Sequence, residues 1–310
     1  MLRLADDWVW DSWYVDDGAN FHAFYLKAPR SLGDPELRHH KASIGHSVST
    51  DLTNWTQLPD AVVPGPGPTF DDLATWTGSI TRGHDGLWHL FYTGISRERS
   101  HDHQRVLHAK SSDLITWTKT SDLVVDADAR WYSTFEGHRR GDWRDPWVFF
   151  DEPSAQWHML VTALLAEGPV DETGTVGHAT SQDMVHWVVQ PPLAHGTHFR
   201  QLEVTQTLTV DDSCVIVWCM LSGDTQVPGM RALTGTWTAP ADSLLGPFHF
   251  DRAEPIEVHG TYAGRVVRDR AGQLKLLAFV DVDAEGTFGG YIGDPIALTL
   301  TERGTLQPLN

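Results

Sequence analysis

Cysteine is nearly absent from this 310-residue chain, with two residues, Cys214 and Cys219. They lie five positions apart in the apolar run Cys214-Val215-Ile216-Val217-Trp218-Cys219. On a strand that spacing points them to opposite faces, which argues against a bridge between them and against a disulfide scaffold. Positive charge is also scarce. Lysine and arginine number 23 against 41 aspartates and glutamates, a formal net charge of −18. A field of that sign repels nucleic acid and anionic membrane surfaces as partners and suits a neutral substrate. No run approaches the roughly eighteen apolar residues of a membrane helix. The start, Met1-Leu2-Arg3-Leu4-Ala5-Asp6-Asp7, has no apolar signal region, so the chain reads as cytoplasmic. A secreted chain trimmed of its leader would look the same. The seventeen histidines show no His-Glu-x-x-His or other ligand spacing, so no metal site built from them is expected; the acidic loops would allow a calcium site, and no cofactor is expected. Segments of period 3.6 are almost missing, which argues against helical layers. Oligomeric state has no signature here.

Aromatics and a repeat are what the chain does have. Fourteen tryptophans favour strands and sugar-lining clefts. The segment Gly45 to Trp55 returns as Leu107 to Trp117 and as Gly177 to Trp187. Each reads x-His-[Ser/Ala]-x-[Ser/Thr]-x-Asp-[Leu/Met]-x-x-Trp. Asp51, Asp113 and Asp183 are 62 and 70 residues apart. A second element, Phe21–Tyr25, Trp88–Tyr92 and Trp157–Val161, keeps the same step and follows turn signals such as Asp17-Gly18 and Asp85-Gly86. Two further units keep only the strand rhythm, around Cys214–Met220 and Gln273–Phe279. Five units of short strands predict an all-β fold, a five-bladed β-propeller of four-stranded antiparallel blades, over residues 1–310 as a single domain. The repeated His and Asp are expected to cap turns and bond backbone within each blade.

Function is expected where the units differ. Asp11 lies between tryptophans in Trp10-Asp11-Ser12-Trp13. Asp145 lies in Trp143-Arg144-Asp145-Pro146-Trp147, and Glu203 precedes a strand in the fourth unit. All three fall at or just before the innermost strand of a blade, so they can meet at one mouth of the central channel. Cleaving a glycosidic bond takes a carboxylate and a carboxylic acid on either side of it. A third carboxylate can hold ring hydroxyls. Arg144 is expected to lower the pKa of its neighbour Asp145 and keep it ionised.

These residues resemble the clan of five-bladed propeller glycoside hydrolases that holds invertases, levanases and levansucrases, families 32 and 68. Val9-Trp10-Asp11-Ser12-Trp13 resembles the levansucrase-type nucleophile motif, without the Asn-Asp-Pro-Asn-Gly of invertases. Trp143-Arg144-Asp145-Pro146 matches the clan's Arg-Asp-Pro. Trp76-Thr77-Gly78-Ser79 resembles their aromatic-Ser-Gly-Ser, and Tyr262-Ala263-Gly264-Arg265-Val266 a tyrosine segment of their last blade. The resemblance implies a retaining β-fructofuranosidase acting on an oligosaccharide or small fructoside. It implies Asp11 as nucleophile, Asp145 as transition-state stabiliser and Glu203 as acid/base. Trp10, Trp13, Trp76, Ser79, Arg144 and Tyr262 become candidate substrate-binding residues, with Tyr262 a candidate partner for a carboxylate.

The chain departs from invertases in two ways. Val204 follows Glu203 where they carry Cys, and the sequence stops at Asn310 without their C-terminal β-sandwich. Three rival readings share the fold. An inverting arabinanase or xylosidase of the family-43 type would separate the two carboxyls by about 6.5–9.5 Å instead of about 5–5.5 Å. A phosphorylase would need a basic cluster, where only Arg139, Arg140 and Arg144 are scattered. An inert sugar-binding propeller would bind without turnover.

Overall fold

A computed structural model describes residues 1–98, 100–120, 124–135, 141–225 and 233–309. Arg139 and Arg140 lie outside the described residues. Among the described residues twenty strands form five antiparallel sheets of four, each in sequence order from the inside out. Blade 1 is β1 (Asp7–Asp16), β2 (Phe21–Pro29), β3 (Ser43–Ser49) and β4 (Thr56–Val62). Blade 2 is β5 (Ala74–Arg82), β6 (Trp88–Ser96), β7 (Ser100–Ser111) and β8 (Thr118–Lys119). Blade 3 is β9 (Trp143–Asp151), β10 (Gln156–Leu164), β11 (Gly174–Ser181) and β12 (Trp187–Gln190). Blade 4 is β13 (Glu203–Val210), β14 (Ser213–Met220), β15 (Gly235–Ala241) and β16 (Glu254–Pro255). Blade 5 is β17 (Thr261–Arg268), β18 (Leu274–Val280), β19 (Ile296–Leu300) and β20 (Leu306–Pro308). The fold is the expected five-bladed propeller.

Burial explains why the second strands are rich in apolar residues without a clean alternation. A blade is covered on both faces by its neighbours, so alternation has no solvent side to mark. In β10 seven consecutive residues, Trp157–Ala163, are buried. The outermost strands are mostly short and only partly buried. Both cysteines lie on β14 and are free.

The repeated motif is a turn with a fixed set of bonds. Asp51 Oδ1 accepts from the backbone N–H of Thr53 and Asn54, Asp113 from Ile115 and Thr116, and Asp183 from Val185 and His186. Ser49, Ser111 and Ser181 donate to the same carboxylates. The residue after each Asp takes a left-handed backbone, with φ of 64° at Leu52, 63° at Leu114 and 59° at Met184. Its carbonyl accepts from the closing tryptophan's Nε1. That tryptophan also joins blades: Trp117 meets Phe24 edge-on at 5.7 Å, and Trp187 meets Phe91 at 5.4 Å.

The repeated histidines do something other than cap turns. His46, His108 and His178 each share a side-chain hydrogen bond of 2.8–3.0 Å with a histidine on the adjacent strand, His22, His89 and His158. They face a side chain across the sheet because the strand has already committed their backbone groups to its ladder. In blade 2 the order of donors is readable. Thr120 Oγ1 donates to His108 Nδ1, His108 Nε2 donates to His89 Nδ1, and His89 Nε2 donates to Asp85. This order holds with both rings neutral, the Asp85 carboxylate being able only to accept.

The ring closes between blade 1 and blade 5. Leu2 and Ile292 exchange two backbone hydrogen bonds, of 2.9 and 3.0 Å. Val9 N–H donates to the Gly290 carbonyl, and Trp8 packs edge-on against Phe288.

Burial, and then the neighbouring histidine, pushes His46 and His108 down to about 3 and His178 to about 4. The unfolded chain takes up these protons near pH 6.5, the folded chain only far lower. Stability is therefore complete above about pH 6.5 and falls as pH drops, by on the order of 1–2 kcal/mol per histidine at pH 5. The urea midpoint should fall between pH 7 and pH 5, and His178→Gln should flatten that fall.

Candidate active site

The five innermost strands share one irregularity. The pairing register shifts between Trp10 and Ser12, between Trp76 and Gly78, between Arg144 and Trp147 (opposite Leu160/Thr162), between Glu203 and Gln206, and between Tyr262 and Arg265. Each is a β-bulge, which bends a strand and re-aims its side chains. At four of them a non-glycine residue takes a left-handed backbone: Asp11 (φ 24°), Asp145 (56°), Val204 (53°) and Ala263 (49°). Such conformations cost of order 1–3 kcal/mol each and persist where the surroundings impose them. At blade 3 the surroundings include blade 2, since Thr93 Oγ1 accepts from Asp145 N–H at 3.0 Å.

The bulges build the site. A cavity of about 380 Å³ opens at this level of the channel. Its lining takes two consecutive residues from each of four blades, Trp10-Asp11, Trp76-Thr77, Arg144-Asp145 and Glu203-Val204, and Tyr262 from the fifth. Asp11 lies within β1 and Asp145 within β9, not ahead of them; the bulge accommodates Pro146 inside a strand that its ring would otherwise end. The β2–β3 connection adds Glu36, Arg38, His39 and His40 from the 3-10 turn Pro35–His40. Trp76 Nε1 donates to the His39 carbonyl at 2.7 Å, and Arg38 lies over Trp10 at 5.5 Å.

Seven of the nine sequence-predicted site residues carry polar contacts or walls here, and they are not equivalent. Asp11 accepts a hydrogen bond from Thr77 Oγ1. Asp145 accepts from Thr162 Oγ1 at 2.8 Å and lies 3.4 Å from Arg144 Nε. Glu203 accepts from Arg144 Nη2 at one oxygen and from the Tyr262 hydroxyl at the other. Trp10 and Trp76 form walls. Among the described residues, Trp13 and Ser79 are not part of the lining. Trp13 is 1% exposed within the core, and Ser79 Oγ accepts from Val148 N–H at 3.0 Å, joining blades 2 and 3. The bulge explains both: it sets the side chains beyond it back into the packing between blades.

Charge in the cavity is crowded. Burial, and then the nearby Asp145, raise Asp11 from an ordinary 3.8 to about 7; Glu203 pushes the same way, while the Thr77 hydrogen bond and Arg38 oppose it. Asp145 is also raised. The expected lowering by Arg144 is present, but desolvation outweighs it. Arg144 itself stays firmly protonated: burial works against its charge, and Asp142, Glu203 and Asp145 more than offset that. Asp142, fully buried, lies 3.0 Å from Arg144 Nη1 and accepts from Gln201 Nε2 at 2.6 Å. Thr77, Asp142, Arg38 and His39 were not singled out from sequence. Thr77 sits inside a motif that was read for its flanking residues; the other three acquire their place through contacts between blades or loops.

Solved structures share this architecture. Inulosucrase from Halalkalicoccus jeotgali, bound to kestose, matches with a TM-score of 0.80 and 21% identity over 98% of this chain and 89% of that one. The Bombyx mori GH32 beta-fructofuranosidase gives 0.74 and 18% over 100% and 64%. Bacillus subtilis levansucrase gives 0.71 and 15% over 99% and 88%. The class is therefore the five-bladed propeller common to these proteins. In sequence, the profile of the glycosyl hydrolases family 32 N-terminal domain matches residues 13–286, and the chain belongs to that family. "Beta-fructofuranosidase, insoluble isoenzyme 3" of Oryza sativa subsp. indica is 28% identical over 183 residues, 57% of this chain and 28% of that protein. A 6(G)-fructosyltransferase of Asparagus officinalis is 29% identical over 181 residues, 56% and 27%. The match spans just over a quarter of the length of these curated relatives.

The raised Asp11 has a consequence for stability. Between about pH 4 and pH 7 the folded chain holds a proton on Asp11 that the unfolded chain has lost, so stability falls as pH rises through that window. Asp11→Asn removes this dependence. Its melting temperature should match wild type near pH 4 and exceed it by several degrees at pH 8, at roughly 2–4 °C per kcal/mol.

Proposed function

We propose that the chain is a retaining glycosidase acting on β-fructofuranosides, with Asp11 as nucleophile, Glu203 as acid/base and Asp145 as stabiliser of the transition state. The observation that carries this reading is the meeting of three carboxylates from three blades in one cavity of about 380 Å³. That volume lies within the range of small-molecule sites and suits a short fructoside or a chain end. Family membership supports the substrate class.

In this scheme Asp11 attacks the anomeric carbon while the bond to the leaving oxygen breaks. Glu203 gives that oxygen its proton. In the second step Glu203 takes a proton from water, or from a sugar hydroxyl, as the new oxygen bonds to the anomeric carbon and Asp11 is released. Asp145, hydrogen-bonded by Thr162, accepts from ring hydroxyls that acidify as oxocarbenium character grows. Arg144 spans Asp142, Asp145 and Glu203, so it holds two of the three carboxylates in one geometry.

Product analysis on sucrose, levan, inulin, difructose anhydrides and arabinan oligomers, followed by NMR, reads substrate, acceptor and the anomer first released. Glu203→Gln with an activated fructosyl donor should accumulate a fructosyl ester on Asp11, found by peptide mass spectrometry. Release of the inverted anomer, or an adduct on another residue, would sink the assignment.

The pH profile is a separate test. Asp11 must be ionised to attack, so kcat/KM should climb as pH rises toward about 7. Arg38 favours the ionised form, so Arg38→Gln should move that limb to higher pH.

A further inference from the structure

Arg265 is the most deeply buried arginine among the described residues, 1% exposed, and it lies on β17 just past the blade 5 bulge. Its Nη1 donates to the carbonyls of Val204 at 3.1 Å and Thr205 at 2.8 Å. These are the two residues of the blade 4 bulge, immediately after Glu203. A bulge takes residues out of the ladder and leaves their carbonyls to find other donors. The guanidinium also lies over the ring of Trp147, at 5.1 Å, two residues beyond Asp145 on blade 3. One buried cation thus touches the segments that carry Glu203 and Asp145. Among the described residues its Nε and Nη2 have no hydrogen-bond partner, so hydrogen bonding alone does not account for a charge in this place.

We infer that Arg265 is a positioning residue of the site: it fixes the Glu203 bulge from the next blade and supplies a permanent positive charge beneath Asp145 and Asp11. The inference rests on the roles proposed above. The titratable groups that act on Arg265 come from three other strands: Asp145 on β9, Cys219 on β14, and Asp11 and Tyr14 on β1. Desolvation pulls Arg265 down to about 10, and Asp145, then Cys219, Asp11 and Tyr14, pull the other way, so it is charged at neutral pH. Its effect is reciprocal: it lowers the pKa of Asp145 against the dominant desolvation. Methionine fills similar volume without charge or donors. Lysine keeps the charge and loses the fork.

The experiment compares wild type with Arg265→Met and Arg265→Lys by three readouts. They are thermal unfolding, the pH profile of kcat and KM with a fructosyl donor, and carboxyl carbon NMR titration of the free protein. In Arg265→Met, Asp145 and Asp11 should titrate higher by about one pH unit. The acid limb should follow them, and kcat should fall on the order of 10- to 100-fold with KM little changed. Arg265→Lys should restore the titration and the limb, and part of kcat. The NMR arm needs no turnover, so a failed substrate assignment leaves it readable. Wild-type carboxyl titration in Arg265→Met, with any rate loss matching the unfolded fraction, would overturn the inference. If Arg265→Met does not fold, a lysine variant whose carboxyls titrate away from wild type overturns it equally.

Discussion

Like charge in a dry cavity is the constraint around which this molecule is arranged. Asp11 and Asp145 would protonate if left to themselves, since burial and the neighbouring carboxylates, Glu203 included, both disfavour their ionised forms. The fold resists this in two ways. Bulges hold the acidic side chains on rigid strands in conformations the backbone would not choose. Arg144, Arg38 and Arg265 return part of the lost solvation as fixed positive charge. The remaining imbalance is what leaves Asp11 poised near neutral pH, and groups tuned in this way are characteristic of reactive sites.

How much was legible in the sequence follows from how local each feature is. The Asp-turn repeat was readable because its bonds run between residues two or three apart, such as Thr53 to Asp51 or Trp55 to Leu52. The blade count was readable because β2, β6 and β10, buried along nearly their whole length, recur at a constant step. The three carboxylates stood out because they break that pattern. Cross-blade features left no such trace. Nothing around Trp13 or Ser79 announces that a bulge turns them into the packing, and nothing around Arg265 says that its partners are carbonyls sixty residues away. The paired histidines were visible as a repeat, but their partners sit on a different strand, so their role was misjudged as local.

Rigidity and strain are distributed unevenly. The closing tryptophans and paired histidines tie the middle and outer strands with bonds made in each of the first three blades. The inner strands carry the left-handed residues and the buried charges. A protein can keep this division only if the outer framework is stable enough to hold an inner rim that is not at its own minimum.

The contribution of adjacent residue pairs from successive blades to one cavity has a further consequence. Chemistry here is written in dipeptides set around a wheel, each on its own sheet, with roughly sixty residues of framework between one and the next. A change to one dipeptide leaves the other blades' internal ladders as they were and reaches neighbouring sectors only through the side-chain bonds that cross the rim, such as those from Arg144 and Tyr262 to Glu203. Substrate preference can therefore diverge one sector at a time, which gives a ring of repeats a modularity that a site gathered from a single loop does not have.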